Sequence, residues 1–241
     1  MTQPADASQE GDHRFYSFKD EKFWSVTTIL NVISKPALQQ WAAKQAALYL
    51  MENFDLLTTI RQNKPEEVVR LVSTAHKRTM ERSSWTGNEV HEYVQHLCEG
   101  RKILPDYRPP HVEHFNRWVA SFQPEFLLSE ATVYNRKHSY AGTLDMVIRC
   151  GDENILVDLK TGNNIYPEVA LQLAAYSRGE FIGKDGQELE LPKIDRAAVL
   201  HVRPNGYKYK NVTIDDKVFD SFLACRELFD WVHDISKGVI N

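Results

Sequence analysis

Apolar residues recur at helical spacing along the first half of this chain and at strand spacing along much of the second. Trp41, Ala42, Leu48 and Tyr49 share one face of a helix that Lys35-Pro36 opens and that runs to about Asn53, proline being favoured in a first helical turn. Pro65 opens a second helical stretch, Glu66 to Thr79, and after a break expected around Ser83 to Gly87 a third helix carries His91. His111 to Phe122 reads as a further helix ended by Pro124. Strands are expected at about 126–135, 140–149 and 154–160, then a helix at 167–181, strands at about 195–203 and 206–213, and a helix from Asp216 to Lys237. This order predicts an α/β fold, a mixed central β-sheet flanked by helices, with an N-terminal helical elaboration.

Composition narrows the picture. A chain of 241 residues with 42% hydrophobic content can bury a sizeable core, and it is expected to form one integrated domain. Residues 1–13, MTQPADASQEGDH, are polar and acidic without an apolar stretch, so they read as a flexible tail and not as a signal peptide. No apolar run approaches the roughly 18 residues of a membrane span, which points to a soluble protein of the cytoplasm. Cys98, Cys150 and Cys225 stand singly, with no C-x-x-C pair, and read as reduced thiols.

The chemistry concentrates between Tyr140 and Tyr176. Gly151-Asp152 is a turn signal between two strand-like runs, so an antiparallel hairpin is expected there. Asp158 and Lys160, two apart on a strand, point to the same side, while Val157 and Leu159 point to the other. Pairing across the turn brings Asp145 roughly opposite Asp158 or Lys160. Two carboxylates and an ammonium then meet at one end of the hairpin. The apolar run Ile155-Leu156-Val157 marks a buried strand, where unpaired charge is costly and calls for a function. Hard cations such as Mg²⁺ or Mn²⁺ take one or two carboxylates and leave positions for water and phosphate oxygens, a role that suits Asp145 and Asp158. Lys160 would orient the attacking water and offset charge in the transition state.

Gly142-x-x-Asp145, Asp158-Leu-Lys160-Thr-Gly162 and Gln172-x-x-x-Tyr176 resemble the RecB-type branch of the PD-(D/E)XK nuclease superfamily, which includes CRISPR-adaptation nucleases and phage-type exonucleases. The likeness spans about Gly87 to Tyr176. It implies a restriction-endonuclease-like core over 125–241 and a helical region, 14–124, that walls the site and supplies His91. It further implies that His91, Asp145, Asp158 and the carbonyl of Leu159 bind the metal, and that Lys160 is the catalytic lysine. Glu130 matches the acid on the preceding strand, and Gln172 and Tyr176, four apart on a helix, would position the scissile phosphate or hold Lys160. Asp158 stands where glutamate is more frequent in this branch. The four cysteines that hold an iron–sulfur cluster in some members have no counterpart, so no cluster is expected.

These residues lead to the expectation of a Mg²⁺- or Mn²⁺-dependent deoxyribonuclease, an exonuclease acting on DNA ends or single strands in recombination, repair or phage DNA processing. No G-x-x-x-x-G-K-[ST] occurs, so a helicase or recombination partner would supply the substrate, in the host cytoplasm if the chain is viral. The net charge of −4 averages over the surface and leaves room for local basic groups: Lys77, Arg78 and Arg82, Arg136 and Lys137, and Arg203 are candidate phosphate contacts. A structure-specific endonuclease, a catalytically silent DNA-binding module and a metal hydrolase of another substrate class remain as alternatives. Oligomeric state is not legible.

Overall fold

The computed structural model describes residues 7–10, 13–101 and 109–240. Three strands open the chain where the sequence reading has a tail and helices: β1 (Ala7–Glu10), β2 (His13–Phe18) and β3 (Glu21–Ser25), paired as an antiparallel meander. The tail expectation is thus corrected over 7–10 and at His13, while residues 1–6 and 11–12 lie outside the described residues. The local cause is alternation, since Tyr16 and Phe18 turn inward with Ser17 exposed between them, and Lys19 adopts a left-handed φ of 53° at the turn.

A short helix, α1 (Val26–Ile29), follows β3. Residues 34–87 then form a compact unit of their own, holding α2 (Pro36–Glu52), α3 (Phe54–Arg61), α4 (Pro65–Ser73) and the first half of α5 (Ala75–Cys98). Helix α3 is not legible in the periodicity. Two further corrections fall here: the helix expected to reach Thr79 ends at Ser73, and the break expected at Ser83–Gly87 is absent because α5 runs through it. The Thr74 hydroxyl donates to the Arg70 carbonyl at 2.7 Å and closes α4. A lone Gly87 inside α5 costs only about 1 kcal/mol, against the burial of Val90 and Val94 further along the same helix.

The larger unit, residues 1–33 and 88–241, carries the sheet. After α6 (Pro110–Phe122) come β4 (Glu125–Asn135), β5 (Tyr140–Cys150) and β6 (Glu153–Lys160), successive strands paired antiparallel. Helix α7 (Glu168–Ser177) leads to two short strands the sequence reading did not include, β7 (Phe181–Lys184) and β8 (Gln187–Leu189). Then β9 (Arg196–Arg203) pairs parallel with β6, β10 (Gly206–Val212) returns along it, and α8 (Asp216–His233) closes the chain with a 3₁₀ turn at Ile235–Gly238. The helix expected to reach 181 ends at Ser177 because the chain turns back to pair β7 with β4.

The described residues therefore form an α/β protein with one mixed ten-stranded sheet. One face packs on α1, α7 and α8 through Ile29, Leu173 and Phe222, with Val147 and Leu156 from the sheet. The other packs on α5 and α6 through Val90, Val94, Phe115 and Trp118, with Met146, Val157 and Leu159. A separate aromatic cluster, Tyr16, Phe18, Phe23, Tyr134 and Phe181, fastens β2 and β3 to the middle strands.

Candidate metal centre

The sheet forks at β5. Strand β4 runs along one edge of β5, so β3 and β6 share the other: β3 pairs with Tyr140 and Ala141, and β6 pairs with Met146 to Cys150. Residues 142–145 lie between these two pairings. Asp145 spans the opening, its Oδ2 accepting the Leu159 N–H at 2.6 Å. Tyr176 fills it from the side: a Cβ on Gly142 would sit 2.4 Å from the Tyr176 ring, so only glycine admits this contact. Gln172, one turn earlier on α7, donates from Nε2 to the Tyr176 hydroxyl at 3.1 Å. Burial raises the Tyr176 hydroxyl well above its ordinary pKa, so it stays protonated and can donate in turn.

Helix α5 brings His91 to the same opening. Its Nδ1 lies 3.3 Å from Glu130 Oε1 and 3.6 Å from Asp145 Oδ1, and its Nε2 lies 3.2 Å from the Leu159 carbonyl. Three acceptors around two ring nitrogens favour the doubly protonated ring. Burial alone would lower its pKa, but the charge of Asp145 and the hydrogen bond and charge of Glu130 outweigh that and raise it to about 9. Glu130 reaches the histidine from a left-handed backbone, φ 48°, and the β4–β5 register passes from Ser129↔Met146 to Ala131↔Leu144 around it. Such a conformation costs a non-glycine residue about 1–3 kcal/mol and aims the carboxylate at a point a regular strand would not serve.

Asp158 and Lys160 complete the cluster. Lys160 Nζ donates to Asp158 Oδ1 at 2.8 Å, while Asp158 Oδ2 is buried with no hydrogen-bond partner among the described residues. Burial pushes the Asp158 carboxyl up to about 6, with Lys160 opposing and Asp145 adding to the rise. Burial would lower the Lys160 ammonium, but the charges of Asp158 and Asp145 prevail and raise it, so it remains a cation.

Among the described residues, His91, Glu130 and Asp145 form the group of three whose ligating atoms lie within 4.8 Å of one another. The donor set is one imidazole and hard oxygens, which fits Mg²⁺ or Mn²⁺. The partnerless Asp158 Oδ2 is the kind of buried acceptor that a cation or its water would satisfy. Of the sequence-derived ligands, His91, Asp145 and Leu159 thus converge with Glu130, while Asp158 sits beside them, engaged by Lys160.

Comparison with known proteins adds no relative: no family model matches the chain, and no curated protein is detectably similar to it.

The expected phosphate contacts fare differently. Arg136 is bonded to both Glu21 and Glu188 and lies over the Phe181 ring, so its guanidinium is committed to holding strands together. Lys137 follows it at the same turn, its backbone N–H bonded to Glu180. In the smaller unit, Arg78 bonds the Thr74 hydroxyl and the Leu71 carbonyl and stacks over Tyr49, whereas Lys77 and Arg82 are exposed on α5. Arg203 is bonded to the turn after Lys160. That turn also engages His201, a residue the sequence reading passed over; its one visible signal was a histidine in the apolar run Ala197–Val202.

The cysteines lie apart on α5, β5 and α8. Cys98 lines a cavity of about 450 Å³ that also reaches Glu130, but burial pushes its thiol up to about 11, so it does not offer a thiolate there at neutral pH. No helix among the described residues is long and apolar enough to cross a membrane.

Proposed function

We propose that this chain is a Mg²⁺- or Mn²⁺-dependent deoxyribonuclease that removes nucleotides from DNA ends or single strands. The observation that carries the reading is the meeting of His91, Glu130 and Asp145 with the Asp158–Lys160 pair at one opening in the sheet. The preference for ends comes from the resemblance to the RecB-type branch, as does a recombination or helicase partner.

In this reading His91, Asp145, Asp158 and the Leu159 carbonyl hold the cation, with Glu130 bracing His91. The bound ion lowers the pKa of a water, polarises the phosphoryl oxygens and offsets charge on the leaving oxygen. Lys160, kept cationic by two carboxylates, donates a hydrogen bond to the attacking water or to a non-bridging phosphate oxygen. Asp158 accepts a hydrogen bond from that ammonium at 2.8 Å and keeps it beside the cation site. The Tyr176 hydroxyl, held by Gln172, supplies a neutral donor on the α7 side. Because His91 carries two protons at neutral pH, cation binding must release one, and the site should load more readily as pH rises.

The test is cleavage of end-labelled linear single- and double-stranded DNA beside covalently closed circles, in Mg²⁺, Mn²⁺ and EDTA, for wild type and Lys160→Ala. Metal-dependent loss of linear DNA with circles spared, and a fall of about 10³-fold or more in the variant, is the expected result. Cut circles would replace the exonuclease with an endonuclease. Binding without cleavage would leave a DNA-binding module.

A further inference from the structure

The turn that follows Lys160 is gripped from the neighbouring strand at three successive residues. β6 and β9 run parallel in register, Lys160 beside His201. From β9, His201 Nε2 lies 2.7 Å from the Gly162 carbonyl, which fixes that nitrogen as the protonated donor. Arg203 Nη1 donates to the Thr161 carbonyl at 2.9 Å and Nη2 to Asn163 Oδ1 at 2.7 Å. His201 is only 8% exposed, a polar side chain inside an otherwise apolar strand, and the carbonyl is the partner its burial requires. The gripped turn joins the strand that ends at Lys160 to the helix that bears Gln172 and Tyr176.

We infer that Arg203 and His201 are positioning residues that set the direction of the Lys160 ammonium and the seating of α7, and that Arg203 is not a phosphate contact. This rests on the nuclease reading. Lys160 is the last residue of its strand and is about a third exposed, so its aim depends on what holds the backbone just beyond it. A misplacement of about 1 Å at reacting groups can cost about 100-fold in rate. A guanidinium whose two Nη groups are both spent on the turn is an anchor, and its planar fork explains why arginine and not lysine serves.

The experiment compares wild type, Arg203→Ala, Arg203→Lys, His201→Ala and His201→Gln, reading kcat and KM on linear DNA separately, salt dependence, and Mn²⁺ affinity by electron paramagnetic resonance. Arg203→Ala should lower kcat about 10- to 100-fold, with KM within about twofold and Mn²⁺ affinity unchanged. Arg203→Lys should not restore it, because one ammonium cannot reproduce the fork. His201→Gln, whose amide N–H can still reach the Gly162 carbonyl, should keep most of the activity that His201→Ala loses. If Arg203→Ala does not fold, the two His201 variants decide, and equal loss in both overturns the role. A raised KM with kcat intact and a salt slope flatter by about one would make Arg203 a phosphate contact instead. Wild type inert toward DNA sinks the nuclease reading and this role together, whereas an active wild type with fully active Arg203→Ala sinks this role alone.

Discussion

The β5–β6 hairpin has two ends with the same kinds of residues and opposite physics. At the turn end, Arg196 meets Glu153 at 3.1 Å and Arg149 meets Glu125 at 3.6 Å, all four side chains between 43% and 63% exposed. At the open end, Asp145, Asp158, Lys160, His91 and Glu130 are mostly withdrawn from water; against the opposing effect of burial the carboxylates raise His91 to about 9, and burial raises Asp158 to about 6. Exposed pairs exchange one solvation for another and contribute about 0–1 kcal/mol, whereas buried ones stand on a desolvation cost that only their neighbours offset. Charge is thus kept at the open end, where it is expensive.

The sharpest way to break this comparison is Asp158→Asn. Cleavage should fall about 10³-fold or more, while in EDTA the variant should melt at or above the wild-type temperature, because a neutral side chain removes a carboxylate that burial disfavours. Lower stability with intact cleavage would show that the buried pair is structural.

Gly142→Ala attacks the same opening sterically. Tyr176 is 4% exposed and cannot swing away from the added methyl, so a loss of about 1–3 kcal/mol in chemical denaturation is expected, with reduced cleavage. An unchanged denaturation midpoint would mean that the ring is not held.

A pH series sharpens the electrostatic side. With a folded pKa of about 9 above the ordinary 6.5, protonated His91 stabilises the metal-free fold fully below pH 6.5, and the contribution is lost as pH rises to 9. Asp158 has the same sign in a lower window: its carboxyl is raised from 3.8 to about 6, so the stability it contributes when protonated is lost as pH rises from 3.8 to about 6. Mn²⁺ takes a histidine nitrogen without its proton and favours carboxylates, so the metal-induced rise in melting temperature should be larger at pH 8.5 than at pH 6.5. Equal rises at both would contradict the assignment.

The smallest effect belongs to the turn end, where Glu153→Gln should change stability by less than about 0.5 kcal/mol and leave cleavage alone.

What was legible in the sequence was local. Gly151-Asp152 sets a two-residue turn with Cys150 opposite Glu153, and that register carries Asp145 to the level of Asp158 as expected. Pro36 and Pro65 mark helix starts correctly. The strands of 7–25 were missed because they are short, and their aromatic residues pack on Tyr134 and Phe181, more than a hundred residues away. Likewise β7 and β8 are brief strands, β8 at the sheet edge, defined by their partners. The left-handed Glu130 is a single-residue backbone departure, and the His201–Gly162 bond follows from a parallel pairing across some forty residues, and neither leaves a periodic trace.

The parallel seam between β6 and β9 also orders events in time. Lys160 is synthesised before the strand that seats it, which begins only at Arg196. The acidic hairpin and its histidine thus exist in the nascent chain before the lysine's footing does, and long-range parallel pairing is among the slower steps of folding. In a growing chain, therefore, the candidate metal ligands are present well before the strand that braces Lys160 has been made.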